Sequence, residues 1–413
     1  MAINKVSSKP VCRDGVKKVV VAYSGGLDTS IILSWVKENY GCEVVACCVD
    51  VGQGKELEGL DEKAKKTGAS KSYIIDAKKE FVTNYIYPTI KVNALYENKY
   101  YLGTSLARPI IAEKIADVVK KEKADAVCHG ATGKGNDQVR FELAFKSLMP
   151  NVKIIAPWRE WDIKSREDAI DYAKKRDISV PVTKAKPYSS DANLWHISYE
   201  GGVLEDLENE YDESMFKMTV SPEKAPDKPM YLAIAFEQGI PVSIDGNKFT
   251  PVELITKLNE IAGANSIGRA DIVENRLVGM KSRGVYESPA AAVLYAAHEE
   301  LESISIDRDT LHFKQLLAHK YAEIAYYGLW FSPLREALDA FINETQKYVT
   351  GSIKLKLYKG NIIIVARQAK YSLYSEKLAT FEKDEIYNHK DAEGFINLWG
   401  LPTKMQAMLR KSE

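Results

Sequence analysis

The chain has no long apolar run, no excess of charge of either sign and few cysteines, and each absence removes a class of function. Nothing approaches the roughly 18–20 consecutive apolar residues that a membrane-spanning helix needs. Residues 1–19 lack an apolar signal core, so a soluble cytoplasmic protein with no membrane partner is expected. Lys and Arg total 57 and Asp and Glu total 57 among 413 residues. A net charge of zero leaves no overall electrostatic footprint for nucleic acid. The five cysteines, Cys12, Cys42, Cys47, Cys48 and Cys128, are odd in number and never fall at C-x-x-C spacing. That argues against a disulfide framework or a zinc site and for a reducing compartment. No metal site built from the chain's own ligands is read.

What is present is length for two or more domains and a change of pattern near Pro181. From Lys18 to Pro181, strand candidates at 18–23, 43–51, 71–76, 125–131 and 152–157 alternate with helical segments. Their Val and Ile runs suit strands covered on both faces, so an α/β, doubly wound, five-stranded parallel sheet of order 3-2-1-4-5 is expected. Helices are expected near 28–39, 56–67, 78–93, 108–121, 136–148 and 165–176, the last capped by Ser165.

Beyond it the pattern reads as α+β, with a hairpin at Asp245–Gly246 and a second turning at Gly360–Asn361. Helices there are expected near 251–262, 289–303, 309–328 and 333–347. The division is a flexible extension 1–16, a parallel-sheet α/β domain 17–182, an α+β domain 183–385 and a C-terminal helical tail 386–413. That tail holds Phe395, Ile396, Leu398, Trp399, Leu401, Met405, Met408 and Leu409. So apolar an end docks either on its own core or across a subunit interface, and the interface is favoured.

The chemistry starts at Ala22–Ser30, AYSGGLDTS, directly after the first strand candidate. A glycine pair alone can be a turn that tolerates positive φ. Here Ser24, Thr29 and Ser30 add hydroxyls to the unpaired amides of a helix N-terminus, the outline of a phosphate site. No lysine follows the glycines as in G-x-x-x-x-G-K-[ST], so γ-phosphate transfer loses support. A second cluster, HGATGKGNDQVR over 129–140, puts Asn136, Asp137 and Arg140 within five residues. It suits a zwitterion, with Asp137 for an ammonium and Arg140 for a carboxylate; Lys134 could steady phosphate charge. Strand order 3-2-1-4-5 makes strands one and four neighbours, so both loops open on one crevice.

SGGLDTS resembles the loop of the N-type ATP pyrophosphatases, which holds ATP's pyrophosphate while a substrate oxygen attacks the α-phosphorus. The chain as a whole resembles the argininosuccinate synthase family. The resemblance is carried by AYSGGLDTS, ALYENKYYLGTSLARP (94–109), HGATGKGNDQVRFE (129–142), APW (156–158), HISYEGG (196–202) and DIVENRLVGMKSRGVYE (271–287).

It implies a homotetrameric ligase that joins citrulline and aspartate with ATP and magnesium, releasing AMP and pyrophosphate through a citrullyl-adenylate. The implied ATP site is Ala22, Tyr23, Ser24, Gly25, Gly26, Leu27, Asp28, Thr29 and Ser30, with Val49 at the adenine and Gly130 nearby. Citrulline is implied at Tyr100, Ser105, Asn136, Arg140, Ser189, Ser198, Glu274 and Tyr286, and aspartate at Thr132, Asn136 and Asp137. The general base stays open between Asp137, Asp28 and a phosphate oxygen. Rival readings are a tRNA-thiolating pyrophosphatase, which needs a basic surface and reactive cysteines, and a non-catalytic nucleotide-binding scaffold.

Overall fold

The computed structural model describes residues 12–133, 135–163, 165–178, 188–380 and 388–411. Most of the extension 1–16, Lys134 and the boundary near 182 lie outside the described residues. Strands β1 (Lys18–Ala22), β2 (Glu43–Asp50), β3 (Lys71–Asp76), β4 (Ala126–Cys128) and β5 (Lys153–Ile155) pair in parallel in the order β3-β2-β1-β4-β5. Val19, Val20 and Val21 of the central strand are wholly buried.

Successive side chains alternate between faces. Val19 and Val21 join a core with Ile31, Ile32 and Trp35 of the helix Leu27–Tyr40 and Ala169 and Ala173 of the helix Arg166–Lys174. Val20 points into a second core with Leu106 and Ile110 of the helix Gly103–Glu122 and Phe141 and Phe145 of the helix Asn136–Leu148. Ser165 caps its helix as expected, in a reciprocal capping box with Asp168.

Three helical expectations change. The segment 56–67 divides into a 3₁₀ turn Gly54–Leu57 and the helix Leu60–Lys66, because Gly59 between them takes φ +70°. Residues 78–92 pass through a π-helical stretch, Phe81–Ile86, before ending at Asn93. The helix expected from 108 begins at Gly103, so Ser105 lies in its first turn. Tyr100 caps it, its hydroxyl accepting from Thr104 N at 3.0 Å.

The remainder holds two antiparallel sheets. One, ordered β10-β9-β8-β13-β14, comprises β8 (Met230–Glu237), β9 (Ile240–Ile244), β10 (Asn247–Lys248), β13 (Gly351–Tyr358) and β14 (Asn361–Ala369). Asp245 and Gly246 turn the β9–β10 hairpin with positive φ, as their chemistry predicts. The β13–β14 turn falls at Lys359–Gly360, one residue earlier than expected.

The other sheet, β11-β12-β7-β6, was not legible in sequence. It is built from β6 (Ser189–Ala192), β7 (Ile197–Glu200), β11 (Arg269–Asn275) and β12 (Lys281–Glu287). Its strands are short or interrupted by charge, so no apolar run marks them. The four expected helices appear as Pro251–Ala264, Pro289–Ser305, Arg308–Tyr326 and Pro333–Thr345. Val20 of the parallel sheet and Leu355 of β13 belong to one continuous buried cluster, so the two units share a core.

The C-terminal stretch forms two helices, His389–Trp399 and Leu401–Arg410, interrupted at Gly400. None of their residues is buried; Leu398 is 72% and Trp399 76% exposed.

A charged knot closes the core beneath the helices. Glu302 accepts from Lys314 Nζ at 2.9 Å, Gln346 Nε2 at 2.6 Å and Asn93 Nδ2 at 2.9 Å, with Glu302 and Lys314 both almost fully buried. Removing one partner of such a pair strands the other's charge. Glu302→Ala is therefore expected to destabilise the fold by about 3–5 kcal/mol, read as a fall in the urea unfolding midpoint.

Candidate functional site

The loop between β1 and the helix Leu27–Tyr40 is shaped by Gly25, at φ +75°, where a Cβ would collide with the side chain of Leu60. Gly26 is the helix N-cap and supplies no side-chain cap to the first-turn amides. Hydroxyls edge the loop. Ser24 and Thr29 hydroxyls lie 3.1 Å apart, Thr29 Oγ1 accepts from Ser24 N at 3.3 Å, and Tyr23 OH and Ser30 Oγ lie 3.4 Å apart.

Beside this loop opens a cleft of about 340 Å³. Ala22, Tyr23, Ser24 and Thr29 line it from the loop, Cys47, Cys48 and Val49 from the end of β2, and Gly130 and Ala131 from the end of β4. One end is thus apolar and the other rich in donors. The crevice sits where β1 and β4 run side by side and the winding reverses. Of the remaining loop positions, Gly25, Gly26, Leu27, Asp28 and Ser30 stand outside the cleft wall, and Ser30 is fully buried. Burial pushes the Cys47 thiol up to about 12 and the Cys48 thiol up to about 11, so neither is a thiolate near neutrality.

The segment after β4 is held from behind. The His129 ring is fully buried, its Nδ1 accepting from Ala131 N at 3.2 Å and its Nε2 3.2 Å from Glu142 Oε1. With Nδ1 an acceptor, Nε2 carries the proton to the carboxylate. Trp158 Nε1 donates to Gly130 O at 3.0 Å. At Gly130 a Cβ would stand only 3.1 Å from Ile32 and 3.3 Å from Thr29, so glycine lets this segment approach the first loop.

A second cavity, about 240 Å³, adjoins the first. Thr132, Asn136, Asp137 and Arg140 line it from the 129–140 segment, Tyr100 from the strand-free stretch before the helix Gly103–Glu122, and Ser198, Glu274 and Tyr286 from β7, β11 and β12. Two expected residues stand outside its wall: Ser105, fully buried, and Ser189, exposed on β6. Both cavities share Arg108, Gly130, Ala131, Asp137 and Asp191.

Arg108 is the centre of the charge arrangement. Its Nε donates to Asp137 Oδ2 at 2.8 Å and its Nη2 to Asp191 Oδ2 at 2.5 Å. Arg140 donates from Nη1 to Asp137 Oδ1 at 2.9 Å and from Nε to Tyr326 O at 2.9 Å. Burial alone would raise the Asp137 carboxyl, but the two guanidinium groups outweigh it and hold the group below the usual value. Glu274 goes the other way: burial raises it, and its Oε2 has no partner among the described residues while Oε1 accepts from Tyr286 OH at 3.2 Å. His196, wholly buried with Nε2 3.0 Å from Thr104 Oγ1, is pushed down to about 4 by burial and is neutral at physiological pH.

Sequence reasoning missed Thr104, Arg108, Asp191, His196, Glu200, Arg276 and Tyr326. Thr104, Arg108, His196, Glu200 and Arg276 lie inside the quoted family segments, where their charge or hydroxyls were a usable signal. Asp191 and Tyr326 lie outside them, and only the fold brings them in. Asn136 is fixed between the two units, its Oδ1 accepting from Leu277 N at 3.0 Å and its Nδ2 donating to Tyr326 OH at 2.9 Å.

Among the described residues no helix is long and apolar enough to cross a membrane. Comparison with known proteins adds a family. The model described as "Arginosuccinate synthase N-terminal HUP domain" matches residues 18–179, and "Arginosuccinate synthase C-terminal domain" matches residues 188–406. The chain is 63% identical over 395 residues to an argininosuccinate synthase of Carboxydothermus hydrogenoformans, covering 96% of this chain and 98% of that one. It is 62% identical over 397 residues to one from Acetivibrio thermocellus, with 96% and 98% covered. Both family domains contribute to the site, and the chain belongs to the argininosuccinate synthase family.

Proposed function

We propose that this chain condenses citrulline with aspartate to give argininosuccinate, converting ATP to AMP and pyrophosphate by way of a citrullyl-adenylate. One observation carries the reading. A cleft with an apolar end and a hydroxyl-edged loop shares a wall with a polar cavity lined by both signs of charge, so an α-phosphate and a ureido group can meet at Gly130, Ala131 and Arg108.

In this reading Ala22–Ser30 hold the triphosphate, Val49 faces the adenine and Gly130 lies against the nucleotide. Tyr100, Asn136, Arg140, Ser198, Glu274 and Tyr286 receive citrulline, and Ser105 and Ser189, outside the cavity wall, complete the proposed set. Thr132, Asn136 and Asp137 receive aspartate. A ureido carbonyl is a poor electrophile because two nitrogen lone pairs feed it, so its oxygen is first adenylated, which makes AMP the leaving group. The aspartate amine then attacks the ureido carbon. Holding three ligands together makes that step effectively unimolecular. The low pKa of Asp137 suits an anchor for the ammonium and makes it a poor base.

Magnesium enters with the nucleotide. Asp28 in the first helical turn and the hydroxyls of Ser24 and Thr29 are the chain's oxygen donors there. When bound, the ion offsets charge on the departing pyrophosphate. The raised thiols of Cys47 and Cys48 weigh against tRNA thiolation as an alternative.

The exposed C-terminal helices belong, in this reading, to a homotetramer. Phe395, Ile396, Leu398, Trp399, Leu401, Met405, Met408 and Leu409 are all about half exposed or more, and a second copy of the chain is the occupant that would cover them.

The test is the purified protein with ATP, magnesium, citrulline and aspartate. AMP, pyrophosphate and argininosuccinate are expected in equal amounts; ADP, or AMP release indifferent to citrulline, would refute the reaction. Asp137→Asn is expected to raise the aspartate KM by about tenfold or more, while citrulline-dependent exchange of pyrophosphate into ATP persists; equal loss of both half-reactions would remove its assigned role. A chain ending at residue 387 is expected to lose mass on analytical ultracentrifugation through dissociation of the oligomer, and an unchanged assembly would place the tail on its own subunit.

A further inference from the structure

The phosphate loop has no lysine of its own, and the fold brings one from elsewhere. Lys63, on the helix Leu60–Lys66, donates from Nζ to the carbonyl oxygen of Gly25. Leu60 on the same helix fills the space above Gly25, so helix and loop meet at two points. The ammonium is partly buried, and burial lowers its pKa with no opposing carboxylate among the described residues. Its helix neighbour Lys65 differs, pairing with Asp61 at 2.7 Å in solvent.

A cation taken partly out of water beside a helix N-terminus, with a neutral carbonyl as its one partner among the described residues, is an incomplete arrangement. An ammonium has three donors, and the Gly25 carbonyl uses one. What completes it is an anion of high charge at the loop.

We propose that Lys63 is a ligand of the pyrophosphate moiety of ATP, standing in for the lysine that the loop lacks. The inference rests on the function proposed above and adds a residue to it. When the ureido oxygen bonds to the α-phosphorus, the bond from that phosphorus to the bridging oxygen breaks and its electron pair leaves on pyrophosphate. Lys63 offsets that charge from the Gly25 side of the loop and is not among the residues that wall the amino-acid cavity.

The test uses the full-length protein and two variants, with inorganic pyrophosphate as the probe in the absence of amino acids. Lys63→Gln keeps a donor for the Gly25 carbonyl and loses the charge; Lys63→Arg keeps both. Pyrophosphate affinity by calorimetry is expected to fall about tenfold or more in Lys63→Gln and to stay within about threefold in Lys63→Arg. The ATP KM should rise in parallel while the citrulline and aspartate KM values and the thermal midpoint hold. Pyrophosphate binding within about twofold of wild type in Lys63→Gln would overturn the proposal, and so would equal losses in both variants, since that marks a tether and not a charge. Citrulline-dependent AMP formation by the unmodified protein tests the reaction separately, so failure of one is not failure of the other.

Discussion

The guanidinium of Arg108, held between Asp137 and Asp191, is the interaction on which the site's assembly turns. It joins three elements far apart in the chain: the helix Gly103–Glu122, the helix Asn136–Leu148 and strand β6. Ion pairs this withdrawn from water gain little net stability, because desolvation offsets their attraction. What they contribute is position. With Asp137 shared between Arg108 and Arg140, and Asp191 also accepting from Thr104 at 3.2 Å, each carboxylate has a defined orientation before any ligand arrives.

That arrangement depends in turn on a common core. Since one buried cluster takes in Val20 of β1, Ile272 of β11 and Tyr286 of β12, the antiparallel sheet carrying Ser198, Glu274 and Tyr286 shares its core with the parallel sheet. Asn136 reinforces the junction from the polar side, bonding to Leu277 and Tyr326 at once. At the end of β2, close packing does the same work: Gly52 leaves its Cα so near Leu194 that a Cβ would come within 2.7 Å of that residue's backbone nitrogen. Leu194 N also donates to Val51 O at 2.9 Å, so the end of β2 and the turn before β7 are locked together.

The parallel sheet was legible because its inner strands β1, β2 and β4 are buried on both faces and therefore written as unbroken apolar runs, with glycines or polar turns between them. The cap at Ser165 and the turn at Asp245–Gly246 were legible because their chemistry is local. The four-stranded sheet β11-β12-β7-β6 was not, since Arg269, Asp271, Lys281 and Arg283 interrupt the apolar alternation by which a strand is read. The true start of the helix at Gly103 was hidden for a related reason: the cap that opens it is the hydroxyl of Tyr100, a residue type that no local capping rule supplies.

By itself the sequence determined the glycine-rich loop after β1, the strand order that places two loops at one crevice, and the family pattern that names the chemistry. Each of these is encoded by residues within a dozen positions of one another, or by the two-faced burial of single strands. Tertiary structure alone decided which charges meet: Asp191 with Arg108, Tyr326 with Asn136, Lys63 with the loop that has no lysine. Those pairings cross up to 190 residues of chain and are selected by packing, because a buried charge persists only where folding has placed its partner.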